Sequence, residues 1–298
     1  MVQEKKMTTN INYIIITPIR NEEKYIKKTL ESMVSQTIQP HEWVIVDDGS
    51  TDSTTEIIDK YSKRYRWIKV VHREDRGYRN PGTGVIEAFY AGYKRISVEN
   101  WQFLVKLDGD LSFDPEYFEE CLKRFQSDPK LGIAGGTVLV YKDSKLTIDS
   151  PNDPPFHVRG ATKIYRRRCW GQIAPLVKAP GWDTVDEVKA NMYGWTTRTF
   201  HDLQAIQHKP TGGADGIWQN WYKNGLANYV TGYHPIFMLA KCLKRAFQKP
   251  AFVASVALWL GFCSGYIKKV PRTQGADVIR YLRKQQLRRL FLQPSIYG

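Results

Sequence analysis

The first 126 residues repeat one unit four times: an apolar, β-branched run, a loop, then a stretch of helical period. The runs are INYIIITP (11–18), EWVIVD (42–47), WIKVVHR (67–73) and WQFLVKLDGD (101–110). The first is too continuously apolar for a strand with one wet face, so it reads as a buried parallel strand ending at Pro18. The helical stretches are residues 21–37, 53–65, 85–97 and 114–126; in the first, apolar or small positions 26, 30, 33 and 34 alternate with charges. Strands and helices that alternate with short connections admit few architectures. The expectation is a doubly wound α/β fold, a Rossmann-like and mostly parallel sheet flanked by helices.

Such sheets bind ligands outside the carboxyl ends of their strands. The acids gather at that edge, with Asp47, Asp48 and Asp52 after the second strand and Asp108 and Asp110 after the fourth. Two carboxylates one residue apart repel each other unless a cation neutralises them, and hard oxygen ligands suit Mg²⁺ or Mn²⁺. With only one or two protein carboxylates, such a metal takes its other oxygens from substrate phosphates. Asp-Gly-Asp also makes ordinary turns, so the tripeptide alone leaves both readings open.

The wider pattern is more specific. IIITPIRNEE, then VIVDDGSTD about thirty residues later, then KLDGD, resemble in that order a family 2 glycosyltransferase of GT-A fold, over residues 11 to about 205. The resemblance implies transfer of a sugar from a nucleotide-diphosphate donor, with inversion, and a divalent metal bridging the diphosphate. By position it puts Thr17 and Pro18 where backbone meets nucleotide, Glu22 near ribose and base, and Asp48 as acceptor of a hydrogen bond from the base. It puts Asp108 near ribose and diphosphate, Asp110 on the metal, and Arg76, Asn80 and Gly82 in the donor-pocket loop.

Inverting transfer needs a base for the acceptor hydroxyl, and a carboxylate near the donor can serve. The family carries it in a Glu-Asp motif heading a helix. In GWDTVDEVKANMYGWTT (181–197) Asp183 fits, with Lys189 six and Gly194 eleven residues on, although Trp182 replaces the usual Glu. Asp186 and Glu187, one turn along, compete for the role, and all three acids could simply complement a helix N-terminus. His208, in HKPTGG after the final core strand, matches a diphosphate or metal contact of some family members. The processive signature Gln-x-x-Arg-Trp is missing from IWQNWYKNG (217–225), which implies single additions. VRGATKIYRRRCW (158–170) reads either as a solvated strand edge or as a site for an anionic acceptor.

The net charge of +14 is concentrated at one end: residues 234–298 hold twelve Lys or Arg against Asp277. Domain boundaries follow: a flexible N-terminus (1–10), a GT-A domain (11–233, its nucleotide-sugar half ending at 110), and a basic helical appendage (234–298). Within the appendage, eighteen uncharged residues (250–267) are at the lower edge of spanning length. They suit a helix lying in one leaflet, with cations drawn to an anionic bilayer, or else a buried hairpin. Nucleic acid would want exposed aromatics or a reading helix instead. Four scattered cysteines and no signal peptide imply reduced thiols and a cytoplasmic enzyme, peripheral on the inner membrane face. The expected acceptor is a lipid-linked or cell-surface glycan precursor. A nucleotidyltransferase, or a nucleotide-sugar-binding scaffold without turnover, could share the acidic half.

Overall fold

A computed structural model describes residues 11–77, 82–142, 144–209, 216–248, 252–272 and 275–298. The N-terminal ten residues, Asn80, residues 250–251 and most of HKPTGG lie outside the described residues. The elements follow in order. The first half contains β1 (Tyr13–Ile19), α1 (Ile26–Val34), β2 (Glu42–Asp47), α2 (Thr54–Arg64), β3 (Ile68–His72), α3 (Thr83–Tyr93), β4 (Phe103–Leu107), β5 (Leu111–Phe113) and α4 (Tyr117–Ser127). The middle contains β6 (Leu131–Lys142), β7 (Lys145–Ile148), β8 (Thr162–Arg166), α5 (Arg167–Ile173), α6 (Trp182–Met192) and β9 (Thr196–Gln207). Four helices close the chain: α7 (Gly216–Val230), α8 (Pro235–Ala246), α9 (Val253–Ile267) and α10 (Ala276–Leu290).

One mixed sheet runs β3-β2-β1-β4-β8-β6-β9-β5, with β7 paired to β6. Its first four strands are mutually parallel, from Ile14 opposite Glu42 to Ile16 opposite Lys106. Burial on both faces explains the unbroken apolar runs. Along β1, Tyr13 and Ile15 enter one core layer while Ile14 and Ile16 enter the other. Each such side chain contributes about 1.5–3 kcal/mol on full burial. β1 lies between β2 and β4, so the crossovers diverge there, and the carboxyl ends of these three strands flank a crevice.

Two sequence expectations change in detail. α1 starts at Ile26 instead of residue 21, because the preceding loop is tied sideways to the loop after β2. Asn21 has φ 53°, its Oδ1 accepts from Thr51 N (2.8 Å), and Glu22 N donates to Thr54 Oγ1 (2.8 Å). The expected strand 101–110 ends at Leu107; Asp108 and Gly109 turn the chain, and β5 pairs antiparallel with β9 at the far end of the sheet. A Cβ on Gly109 would lie 2.4 Å from Ile19 Cγ2, so this turn has no room for a side chain.

The segment 158–170 is not a solvated edge. β8 lies between β4 and β6, and Thr162, Lys163, Ile164 and Tyr165 are buried. Three of its other four cations are engaged at home: Arg159 pairs with Asp149 (2.6 Å), Arg166 Nε donates to Leu131 O (2.8 Å), and Arg167 covers the Trp101 ring, while Arg168 is exposed.

α7–α10 build a third core layer in which Tyr229, Met238, Leu258, Phe262 and Leu282 meet Phe156, Ala179 and Val188 from the segment between β7 and β9. α7 and α9 touch backbone to backbone: a Cβ on Gly225 or Gly261 would lie 2.0 Å from Leu258 O or Tyr222 O. The basic appendage is therefore docked, and the boundary at 233 falls between two packed helices. None of the described helices is long and apolar enough to cross a membrane.

Candidate active site

The crevice is built from the strand ends outward. At β2, Asp47 closes its own turn, accepting from Ser50 N (2.8 Å) and Thr55 Oγ1 (2.5 Å). Asp48 points the other way and takes two arginines, Arg73 Nη1 at 2.5 Å and Arg76 through Nη2. Arg76 also reaches Glu87 of α3 (3.0 Å), so the loop after β3 is fastened by charge to α3 and to the end of β2. Gly49 permits this: it has φ +74°, and a Cβ there would lie 2.4 Å from Asp75 Cα.

At β1, Thr17 is fully buried, and its hydroxyl accepts from Trp43 Nε1 (2.8 Å); only its backbone is left to face a ligand. Pro18 is buried beside it. Glu22, half-buried in the next loop, accepts from Lys209 Nζ at 2.5 Å.

At β4 the two acids divide. Asp108 is half-buried and pairs with Lys106, a lysine only 2% exposed whose Nζ also donates to Gly160 O (2.6 Å). Asp110 is 4% exposed and accepts from Gln207 Nε2 (3.0 Å), while its carbonyl accepts from His208 N (2.9 Å). Burial, the Asp108 charge and, more weakly, Glu22 push the Asp110 carboxyl up to about 7. The His208 ring is occupied elsewhere, with Ser112 Oγ at 2.7 Å and Lys28 Nζ at 3.3 Å. Among the described residues no group of three or more His, Cys, Asp or Glu converges as a metal cage. The donor set is hard oxygen, with one carboxylate, Asp110, that has no ion pair among the described residues. It fits a divalent ion completed by phosphate oxygens, though not one held by protein alone.

The third wall is α6. Asp183, in its first turn, is half-buried, and a Cβ on Gly160 would lie 3.1 Å from Asp183 Oδ2. Burial by itself would raise this carboxyl, but His157, Lys163 and Arg159 outweigh it and hold the group below its ordinary value, hence ionised. Asp186 is 2% exposed and accepts from Lys163 Nζ (2.8 Å), Tyr165 Oη (2.6 Å) and the Glu187 amide (2.7 Å). Glu187, fully buried, meets Lys163 (2.7 Å), His157 Nδ1 (2.9 Å) and Val158 N (2.7 Å). Lys163 closes the network through the Asp183 carbonyl. Trp182, where the resemblance wanted an acid, has Lys106 Nζ and Lys163 Nζ 5.4 and 5.5 Å from its ring centroids.

The structure thus brings Asp108 and Asp183 to one place, linked through Lys106 and Gly160, with Asp110 two residues from Asp108. Sequence reasoning missed Lys106, His157, Lys163 and Tyr165. For Lys106 the available signal was a lysine inside an apolar strand, since a buried cation requires a partner.

Residues 14–176 match the family described as Glycosyl transferase family 2. The chain is 30% identical over 136 residues to the putative glycosyltransferase EpsH of Bacillus subtilis, covering 46% of this chain and 36% of that protein. It is 29% identical over 126 residues to the poly-beta-1,6-N-acetyl-D-glucosamine synthase of Staphylococcus aureus, covering 42% of this chain and 28% of that protein. The matched stretches thus span about a third of those relatives or less. Among solved structures, S. aureus TarS 1–349 in complex with UDP-GlcNAc superposes with TM-score 0.53 at 19% identity, covering 89% of this chain and 75% of that one. The mannosyltransferase PcManGT from Pyrobaculum calidifontis, in complex with GDP-Man and Mn²⁺, gives 0.55 at 16%, covering 97% and 77%. These likenesses carry the GT-A fold, the sequence match carries the kinship, and the chain belongs to glycosyl transferase family 2.

Proposed function

We propose that this chain transfers one sugar at a time, with inversion and with the help of Mg²⁺ or Mn²⁺, from a nucleotide-diphosphate donor to a lipid-linked or cell-surface polysaccharide acceptor. The observation that carries the reading is the pair Asp108 and Asp183. The phosphate-facing carboxylate of Asp108 pairs with Lys106, Lys106 donates to Gly160 O, and Gly160 lies beside the ionised carboxylate of Asp183, which takes no hydrogen bond from another side chain among the described residues.

In this reading the nucleotide lies along the β1 backbone at Thr17 and Pro18. Asp48 meets the base: each carboxylate oxygen has a second lone pair after its arginine bond. Glu22 faces the ribose, and Arg76 shapes the pocket wall. Asp110, with Asp108 beside it, would hold the metal, which when bound neutralises the diphosphate and stabilises it as a leaving group. His208 supports Asp110 through the main chain. PcManGT and GalNAc-T7 are described with Mn²⁺ and with a nucleotide or nucleotide sugar, which supports both the metal and the donor class. Asp183 takes the acceptor hydroxyl's proton as that oxygen attacks the anomeric carbon. The bond from that carbon to the diphosphate oxygen breaks, and the nucleoside diphosphate departs. Asp186, already satisfied by Lys163 and Tyr165, holds α6 in position and leaves the proton to Asp183.

The enzyme works on the inner membrane face. α8 and α9 support this with exposed apolar rows, Ile236, Leu239 and Leu243 on one helix with Phe247 just beyond its end, Val253, Val256 and Leu260 on the other. The decisive experiment incubates the purified chain with a panel of nucleotide-diphosphate sugars and metal. Release of nucleoside diphosphate, abolished by chelation, is expected. Release of pyrophosphate, or donor binding with no turnover on any acceptor, would overturn the reading.

A further inference from the structure

α10 differs from the other helices of the third layer in what it presents. Arg280, Arg283, Lys284 and Arg288 follow one another at helical spacing and, with Arg272, line a groove of about 770 Å³. The groove also has apolar lining, from Ile279, Leu287 and Phe291, and no acid among its lining residues. Among the described residues Arg280, Lys284 and Arg288 have no ion pair, and the other two cations are held by neutral groups. Arg283 Nε donates to Gly232 O (3.0 Å), and Arg272 stacks on Tyr229 and Tyr266 at 4.8 and 5.4 Å. Arg272 Nε is nevertheless buried, with no hydrogen-bond acceptor among the described residues.

Five like charges around one groove repel each other, and a bound anion relieves that repulsion. Inorganic phosphate would satisfy the charge but leave the apolar lining wet. An anion with a hydrocarbon part uses both. The groove is also continuous with an apolar surface: Arg272 touches Tyr266, and the α9 residues Tyr266 and Ile267 are 42% and 80% exposed.

We infer that the α10 groove binds the phosphate of an anionic phospholipid headgroup, with Arg280, Lys284 and Arg288 contacting the phosphate and Phe291 entering the acyl boundary. The inference rests on the membrane-face reading above and gives it an orientation. α10 is fixed to the enzyme by packing on α6 and α8, so a lipid held there sets the direction in which the crevice faces the bilayer.

The test uses the full chain and vesicles of phosphatidylcholine, with and without phosphatidylglycerol. The triple variant R280Q/K284Q/R288Q should lose about 10²-fold in affinity for the anionic vesicles, since each cation near such a surface contributes about 1 kcal/mol. The charge-matched variant K60Q/K63Q/R66Q, on exposed residues in and after α2, should change only a few-fold. Thermal unfolding of the α10 triple should be unchanged or higher, because a repulsion has been removed. Hydroxyl-radical footprinting should find Phe291, 71% exposed in the free protein, protected on anionic vesicles. Equal losses in the two triples, or an unprotected Phe291, would overturn the groove while leaving membrane binding intact. Displacement of vesicles by millimolar glycerol phosphate or inorganic phosphate would make the ligand a free phosphate and overturn the lipid. If the wild type ignores anionic vesicles altogether, the membrane reading and the groove fall together, and the transferase reading stands on its own assay.

Discussion

Asp183 and Asp186 sit one turn apart on α6 and have opposite surroundings. The first is half-buried beside Gly160 and takes no hydrogen bond from another side chain among the described residues; the second is enclosed by Lys163, Tyr165 and its neighbour's amide. A base must reach a substrate proton, and a carboxylate with three donors already in place is poorly suited to accept a fourth. Asp183→Asn should therefore lower kcat by about 10² or more while donor affinity stays within a few-fold. Asp186→Asn should lower the unfolding midpoint first. If Asp186→Asn gives the kinetic signature and Asp183→Asn does not, the base is one turn further along.

Lys163 balances two buried acids from the middle of the sheet. Lys163→Met leaves Asp186 without its cation and Glu187 with His157 alone, and losing one partner of a buried pair costs about 3–5 kcal/mol. Urea unfolding should register that loss. A cost below about 1 kcal/mol would mean that water or His157 supplies the charge instead.

Asp110 should govern metal-linked binding. Calorimetry of donor binding with Mg²⁺ or Mn²⁺, and again with EDTA, should give different affinities for the wild type. For Asp110→Asn the two should coincide. Metal dependence that persists in the variant would move the ligand away from this strand end.

His157 supplies a pH signature of stability. Burial pulls its basicity down, but the Glu187 ion pair and hydrogen bond, with Asp183 and Asp153 further off, raise it above the ordinary 6.5. A group raised in the folded state contributes stability that is complete below its unfolded value and lost as pH rises through its folded one. The unfolding midpoint should fall as pH climbs above 6.5, and His157→Gln should flatten that slope. A wild-type profile flat from pH 6 to 9 would contradict the pairing.

Leu243 and Phe247, 59% and 85% exposed, can change without disturbing the core. If the α8 and α9 rows enter a bilayer, wild-type protein should pellet with anionic liposomes and be only partly released at 1 M salt, where the Debye length is about 3 Å. Leu243→Glu with Phe247→Glu should be released fully. Pelleting that survives in the double variant would assign membrane contact to charge alone.

The strand–helix repeat of residues 11–126 was legible because buried parallel strands and amphipathic helices differ in period, and period is a property of the sequence. The candidate site was half legible for the same reason: Asp48, Asp108 and Asp110 follow the ends of recognisable strands. What the tertiary structure alone decided is which acid takes no side-chain hydrogen bond among the described residues. Asp183, Asp186 and Glu187 are equivalent as letters on one helix, and only the approach of β8 distinguishes them, by inserting Lys163 and Tyr165 beside two of the three. Nothing local in KIYRRRCW marks that lysine as buried, since its burial depends on carboxylates some twenty residues away. The docking of the basic helices was hidden likewise, because backbone contact at Gly225 and Gly261 arises only once α7 and α9 cross. Local periodicity fixes elements, but charge compensation and close packing are relations between elements and exist only after they meet.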